Sequence, residues 1–321
     1  MSEAPRVLNA RDDPRDRVPS ADELRAGGAS LGALTRCVRA GSLAAELHGL
    51  DDETAALIDD QYAGFVEGAG FVAPLGPRRA ARIEVVRSPV SRWLHLSKGE
   101  GFVEEARVGA RWSDGVELWS YGFAGRFDEG ASRGRLLLCE GSSMEAAQAV
   151  ENYLRFFIAA QALAHGGFLL HSAGVARGGR AWLFFGPSGA GKSTTASLAP
   201  ADADLLGDDL VLVEPQGGGA WRACGVPFRG SFARGRNAAT CAPVTLACRI
   251  TQSDANALED APRVLRITEM LAQVPFLMDE PRARARAADV VEAFIRDVPT
   301  KRLRLRRDGT YWALLEQAAL S

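Results

Sequence analysis

The chain has 321 residues, 47% of them hydrophobic and 24% charged, with a formal net charge of −2 and a sequence pI near 6.2. That is the composition of a globular protein long enough for two domains, and it excludes the basic excess of a general nucleic-acid binder. No run approaches the roughly 20 apolar residues of a membrane span, and the start of the chain holds no apolar signal core, so the expected compartment is the cytoplasm. Cys37, Cys139, Cys224, Cys241 and Cys248 make no C-x-x-C pair and no zinc-like cluster with the histidines; reduced, structural thiols are expected.

Residues 1–27 are rich in Arg, Asp and Pro and predict a flexible leader. Residues 28–141 predict a mixed α+β front domain, with a helix over 44–61 and strands over 82–87, 92–96, 116–127 and 135–139. Ser113-Asp114-Gly115 and Asp128-Glu129-Gly130 separate the strands, which predicts hairpins and an antiparallel sheet. Ser142 and Glu145 form a possible capping box, and Val150, Tyr153, Leu154, Phe157 and Ile158 then recur at helical spacing until Gly166-Gly167. That spacing assigns the aromatic stripe to the core. Residues 168–176, the turn Arg177-Gly178-Gly179-Arg180 and the apolar run 181–185 predict a further hairpin.

The next residues carry the strongest motif. Gly186-Pro187-Ser188-Gly189-Ala190-Gly191-Lys192-Ser193 matches the Walker A pattern G-x-x-x-x-G-K-[ST], between a buried strand and the helix that Thr194 helps to open. In such a loop Gly186, Ser188, Gly189, Ala190, Gly191, Lys192, Ser193 and Thr194 bind the nucleotide. Backbone N–H groups and the helix dipole attract phosphate, Lys192 reaches the outer phosphates, and the Ser193 hydroxyl can bind Mg²⁺. Residues 142–321 are therefore expected to form an α/β nucleotide domain. ATPase, GTPase and kinase all stay open on the loop alone.

A phosphate loop works with carboxylates at the end of a neighbouring strand. Asp208-Asp209 lies between apolar runs, 16 and 17 residues beyond Lys192; two adjacent carboxylates there are costly unless metal or hydrogen bonds compensate. The pair allows divided roles, one on metal and one as base. His171 sits on a strand 21 residues before Lys192; alone, a strand histidine is more often structural than functional.

In order and spacing, His171, the 186–193 loop and Asp208-Asp209 resemble the catalytic domain of the bacterial HPr kinase/phosphorylase family. Leu170-His171-Ser172-Ala173-Gly174 and Gly225-Val226-Pro227-Phe228-Arg229-Gly230 resemble its HPr-kinase-related branch, which includes lasso-peptide precursor kinases. The likeness spans roughly residues 150–235 and weakens beyond. It implies a P-loop fold of the HPr kinase/phosphoenolpyruvate carboxykinase type and an ATP- and Mg²⁺-dependent kinase acting on a serine of a protein or peptide. It further implies Asp208 as base, Asp209 and Ser193 on Mg²⁺, His171 orienting the base or contacting phosphate, and self-association into a homo-oligomer. HPr kinases carry Glu-x-Arg-Gly after the aspartate pair, whereas here Pro227 stands two before Arg229. A second acidic metal ligand and HPr itself as substrate are therefore not carried over. A nucleotide-dependent binding module without catalysis and a small-molecule phosphotransferase remain the alternatives.

Arg229, Arg234 and Arg236 lie in a Gly-rich segment that could close on the nucleotide, Arg229 being the candidate to offset charge on the transferred group. Arg302, Arg304 and Arg306 alternate with Leu303 and Leu305, predicting a strand with a basic face. Residues 282–307 hold nine basic and three acidic side chains; such a run is usually a solvated face, with binding of an acidic partner the alternative, and aromatic interleaving suited to nucleic acid is absent.

Overall fold

A computed structural model describes residues 6–8, 14–26, 28–67, 79–95, 108–112, 115–128, 132–141, 143–228, 230 and 237–318. The fold is mixed α/β with two mixed sheets, and the chain divides into two compact units.

The front unit holds β1 (Arg6–Leu8), α1 (Ala21–Ala26), β2 (Leu34–Ala40), β3 (Leu43–Leu50), α2 (Asp52–Gln61), β4 (Arg79–Arg87), β5 (Val108–Trp112), β6 (Val116–Trp119), β7 (Phe123–Phe127) and β8 (Arg133–Leu138). Its sheet runs β1-β5-β6-β7-β8-β4-β3-β2. Helix α3 (Ser143–Ala164) follows, and the division between the units falls within it, after Phe157. The helical stripe is core: Tyr153 and Phe157 meet Phe127 edge-on at 5.8 and 5.6 Å. Ser142 and the Glu145 side chain lie outside the described residues, as do Ser113, Asp114, Glu129 and Gly130. The strands on either side of both turns nevertheless pair antiparallel.

Four expectations need correction here. The first 27 residues are not all leader: Arg6–Leu8 pairs with β5, and Ser20 and Glu23 exchange hydrogen bonds in a capping box that starts α1 and buries Leu24. The helix expected over 44–61 begins only at Asp52, where the Asp51 carboxylate accepts the Thr54 N–H at 2.9 Å; Leu43–Leu50 is a strand. Residues 92–95 are bent rather than extended, because Trp93 and Leu94 both turn inward to the cluster around Leu24 and Trp119. The sheet is mixed, since β3 with β4 and β4 with β8 are parallel.

The second unit carries β9 (Phe168–Arg177), β10 (Arg180–Phe185), α4 (Lys192–Ser197), β11 (Asp204–Gly207), β12 (Leu210–Gly217), β13 (Ala220–Cys224) and β14 (Cys241–Gln252). It ends with β15 (Ala257–Glu259), α5 (Arg263–Leu271), α6 (Pro281–Asp297), β16 (Thr300–Leu305) and α7 (Tyr311–Ala318). The expected hairpin forms, with Arg177 opposite Arg180 and left-handed glycines at 178 and 179. The sheet follows β10-β9-β12-β13-β14-β16-β15; β11 adds to β9, and β10 also pairs parallel with β14. Its core is aromatic, with Trp182 and Trp312 edge-on at 5.6 Å, and the Tyr311 hydroxyl donates to the Thr195 carbonyl at 2.7 Å, tying α7 to α4.

The cysteines depart from expectation at two positions. β13 and β14 run antiparallel with Cys224 opposite Cys241, and the two are joined as a disulfide; Cys37 and Cys248 are buried thiols. A spacing of 17 residues hid the pair, because strand register rather than sequence brings it together. Replacing both by serine is expected to lower the unfolding free energy by about 2–3 kcal/mol in urea titrations, through the extra freedom of the unfolded chain. No described helix is long and apolar enough to cross a membrane.

Candidate functional site

Strand register fixes what surrounds the loop after β10. Phe185 pairs with Ser172 of β9 on one side and with Arg249 of β14 on the other. β14 in turn carries β16, with Gln252 opposite Leu305. The loop therefore leaves the sheet between a β9 flank and a β14–β16 flank. Gly189 and Gly191 have φ of 77° and 113°, in the region that favours glycine, and a Cβ on Gly191 would stand 3.2 Å from Leu305 Cδ2. Gln252 Nε2 donates to the Gly189 carbonyl at 2.6 Å.

Lys192 opens α4 and is 8% exposed; its ammonium donates to the Gly186 and Pro187 carbonyls at 2.9 and 3.3 Å. Burial holds its pKa below the ordinary 10.5, against the opposing pull of Asp209. The unfolded chain thus binds this proton more tightly, so the lysine's contribution to stability improves as pH rises through the window just below 10.5. An anion placed on the ammonium would reverse that shift.

The two aspartates sit at a corner that β9 defines from both directions. β11 ends at Gly207 opposite Gly174, and β12 starts at Leu210 opposite His171. The Ser172 N–H donates to the Asp209 carbonyl at 3.0 Å, and His171 Nε2 stands 2.9 Å from Asp209 Oδ1, both side chains being partly exposed. Asp208 is 4% exposed, and its Oδ1 accepts the Gly230 N–H at 3.1 Å. A Cβ on Gly230 would lie 2.4 Å from that carboxylate, so a side chain there would have to push Asp208 aside. The sequence marks Gly230 only as the glycine that closes Gly225-Val226-Pro227-Phe228-Arg229-Gly230.

A cavity of about 310 Å³ gathers these groups: His171, Asp208 and Asp209, and from the loop Ser188, Gly189, Gly191, Lys192, Ser193 and Thr194. Gly186 and Ala190 are not among the residues that line it. The Gly186 carbonyl takes the lysine, while the Ala190 N–H is used by the Pro187 carbonyl and the Ala190 side chain belongs to the core. Arg229, Arg234 and Arg236 lie outside the described residues. Arg307 also lines the cavity; in the sequence it was only one member of a basic run.

The alternation of β16 is as expected, with Leu303 and Leu305 buried. Its basic face, however, is met by this chain's own acids: Lys301 by Asp260, Arg302 by Glu269 at 2.6 Å, and Arg304 by Glu259. These three charges are therefore balanced within the chain. Among the described residues no group of three or more His, Cys, Asp and Glu is set to hold a metal. The side-chain oxygens at the cavity are the hydroxyls of Ser188, Ser193 and Thr194 and the two carboxylates, a hard set of the kind that suits Mg²⁺, which keeps waters and shares phosphate oxygens rather than filling a protein cage.

The family model described as SynChlorMet cassette protein ScmC matches residues 137–321, more than half of the chain. The chain belongs to the ScmC family. All ten cavity-lining residues fall within the ScmC-matched stretch, as does Gly230. No curated protein matches the chain.

Proposed function

We propose that this ScmC-family chain is an ATP-dependent kinase that phosphorylates a serine hydroxyl of a protein or peptide in the cytoplasm, and that its second unit is a P-loop domain of the HPr kinase/phosphoenolpyruvate carboxykinase type. One observation carries the reading: a buried carboxylate, Asp208, opens on the same cavity as the desolvated Lys192 and the glycine-turned loop that precedes it. A buried ammonium that can neutralise phosphate, on one cavity with a buried carboxylate that can take the acceptor proton, is the arrangement phosphoryl transfer uses.

Bound ATP·Mg²⁺ would supply the phosphoryl group. Lys192 and the loop N–H groups hold and neutralise phosphate; Ser193 and Asp209 offer oxygens to Mg²⁺, with His171 fixing the orientation of Asp209. Asp208 would take the proton of the acceptor hydroxyl as that oxygen bonds to the γ-phosphorus and the bond to the β-phosphate oxygen breaks, releasing ADP. The absence of a glutamate at Pro227 favours, as second reading, a module that binds nucleotide without turnover.

The test begins with Mg·ATP and thermal melting. Saturating nucleotide at about 100 times its Kd is expected to stabilise the protein by about 2.7 kcal/mol. Lys192→Met, which removes the buried ammonium, should melt no lower than wild type without nucleotide and lose the nucleotide-dependent rise. Labelled ATP with lysate of the source cells should then mark an acceptor. Binding without labelling of any target selects the second reading, and no binding removes both.

A further inference from the structure

We infer that Arg307 is a nucleotide-binding residue that grips the phosphate at the nucleoside end of the chain, on the flank of the loop opposite the carboxylates. The inference rests on the phosphate-loop reading above. Its geometry comes from the sheet. His171 and the aspartates belong to the β9 side of β10, whereas Arg307 follows β16, which reaches the loop through β14 on the other side. Leu305 lies against Gly191 of the loop, two residues before Arg307. The loop thus has an acidic flank and a basic one, and Arg307 and Asp208 open on one cavity.

The turn that presents Arg307 is fixed by a polar network. The Arg306 N–H donates to Asn256 Oδ1 at 2.7 Å, and Asn256 Nδ2 donates to the Thr310 hydroxyl at 2.8 Å. The Thr310 hydroxyl donates in turn to Asp308 Oδ1, also at 2.8 Å. Asp308 is also the partner of the Arg306 guanidinium at 2.8 Å. Arg306 is thereby occupied, like Lys301, Arg302 and Arg304 before it. Among the described residues no carboxylate pairs with Arg307, which is the basic residue of this run that lines the cavity. A planar guanidinium with its donors unused, held at the rim of a phosphate site, is suited to a two-pronged contact with phosphate oxygens. The acceptor must meet the terminal phosphoryl group beside Asp208, so the phosphate on the Arg307 flank is the one nearest the nucleoside.

Titration calorimetry of the full chain with Mg·ATP and with Mg·ADP tests this directly. Arg307→Ala should weaken both nucleotides by the same factor, about tenfold, the low end for a hydrogen bond to a charged group because the side chain is exposed. Arg307→Lys should recover part of the loss, and neither variant should change the melting temperature without nucleotide. Arg284→Ala, which removes the same charge from an exposed position on α6, should leave both affinities unchanged. Unaltered binding by Arg307→Ala overturns the inference while the phosphate-loop reading stands. So does a loss confined to ATP, which would put Arg307 at the terminal phosphate, or an equal loss in Arg284→Ala, which would reduce it to a general field. A wild-type chain that binds neither nucleotide overturns the reading and the inference together.

Discussion

Asp208→Asn is expected to lower phosphoryl transfer about 10²–10⁴-fold, the range for loss of a positioned general base, while the rise in melting temperature with Mg·ATP persists. The substitution is close to isosteric. Its amide oxygen can still accept the Gly230 N–H that now reaches Asp208 Oδ1, so the corner between β11 and β12 should keep its shape. What disappears is the capacity to take a proton at a site only 4% exposed, where water has little room to replace it. Asp209→Asn should behave differently: it removes the charge that faces His171 and, on the proposed reading, weakens the hold on Mg²⁺, so the Mg²⁺ concentration for half-maximal transfer should rise. Transfer of label from ATP to the acceptor, followed against Mg²⁺ for both variants, separates the two. Full activity in Asp208→Asn would take the base away from that residue, and a pure Mg²⁺ effect there would exchange the two assignments.

Local signals made the frame of this site legible. Glycines at 178 and 179 announce the β9–β10 hairpin, and the apolar run 181–185 ahead of Gly186 announces β10. What covers the site is non-local. Gly230 reaches Asp208 across 22 residues, Cys241 reaches Cys224 across 17, and Arg307 enters through the register of β16 with β14. None of these leaves a period in the sequence. Leu43–Leu50 failed for another reason: a strand in parallel pairing with β4 is buried along most of its length and loses the alternation that marks a half-buried strand. In the first 27 residues the reverse happened. The Ser20–Glu23 capping box was present, but the Arg, Asp and Pro around it carried the reading.

Glu214→Ala is expected to lower the unfolding free energy by about 3–5 kcal/mol, the cost of stranding one member of a buried ion pair. Glu214 and Arg222 lie on adjacent strands and are both nearly closed to solvent; the guanidinium donates to Glu214 Oε2 through Nε at 3.0 Å and Nη2 at 2.8 Å. The same carboxylate accepts the Ser42 N–H at 3.1 Å and the Ser42 hydroxyl. Its removal therefore takes the carboxylate from a buried guanidinium and from the Ser42 N–H at once. Replacing both Glu214 and Arg222 by Met should recover most of the loss, because the penalty comes from keeping a buried guanidinium without this carboxylate more than from losing the pair itself. Urea unfolding of the two variants decides it, and a loss under about 1 kcal/mol for Glu214→Ala would mean water reaches the guanidinium. The effect should extend to the cavity. β12 carries Glu214 and begins one residue after Asp209, and β13 carries Arg222 and runs into Cys224, from which the chain continues to Gly230. Loosening that ladder releases Asp208 from both sides, so nucleotide-dependent transfer in Glu214→Ala should fail at temperatures where the rest of the chain is still folded.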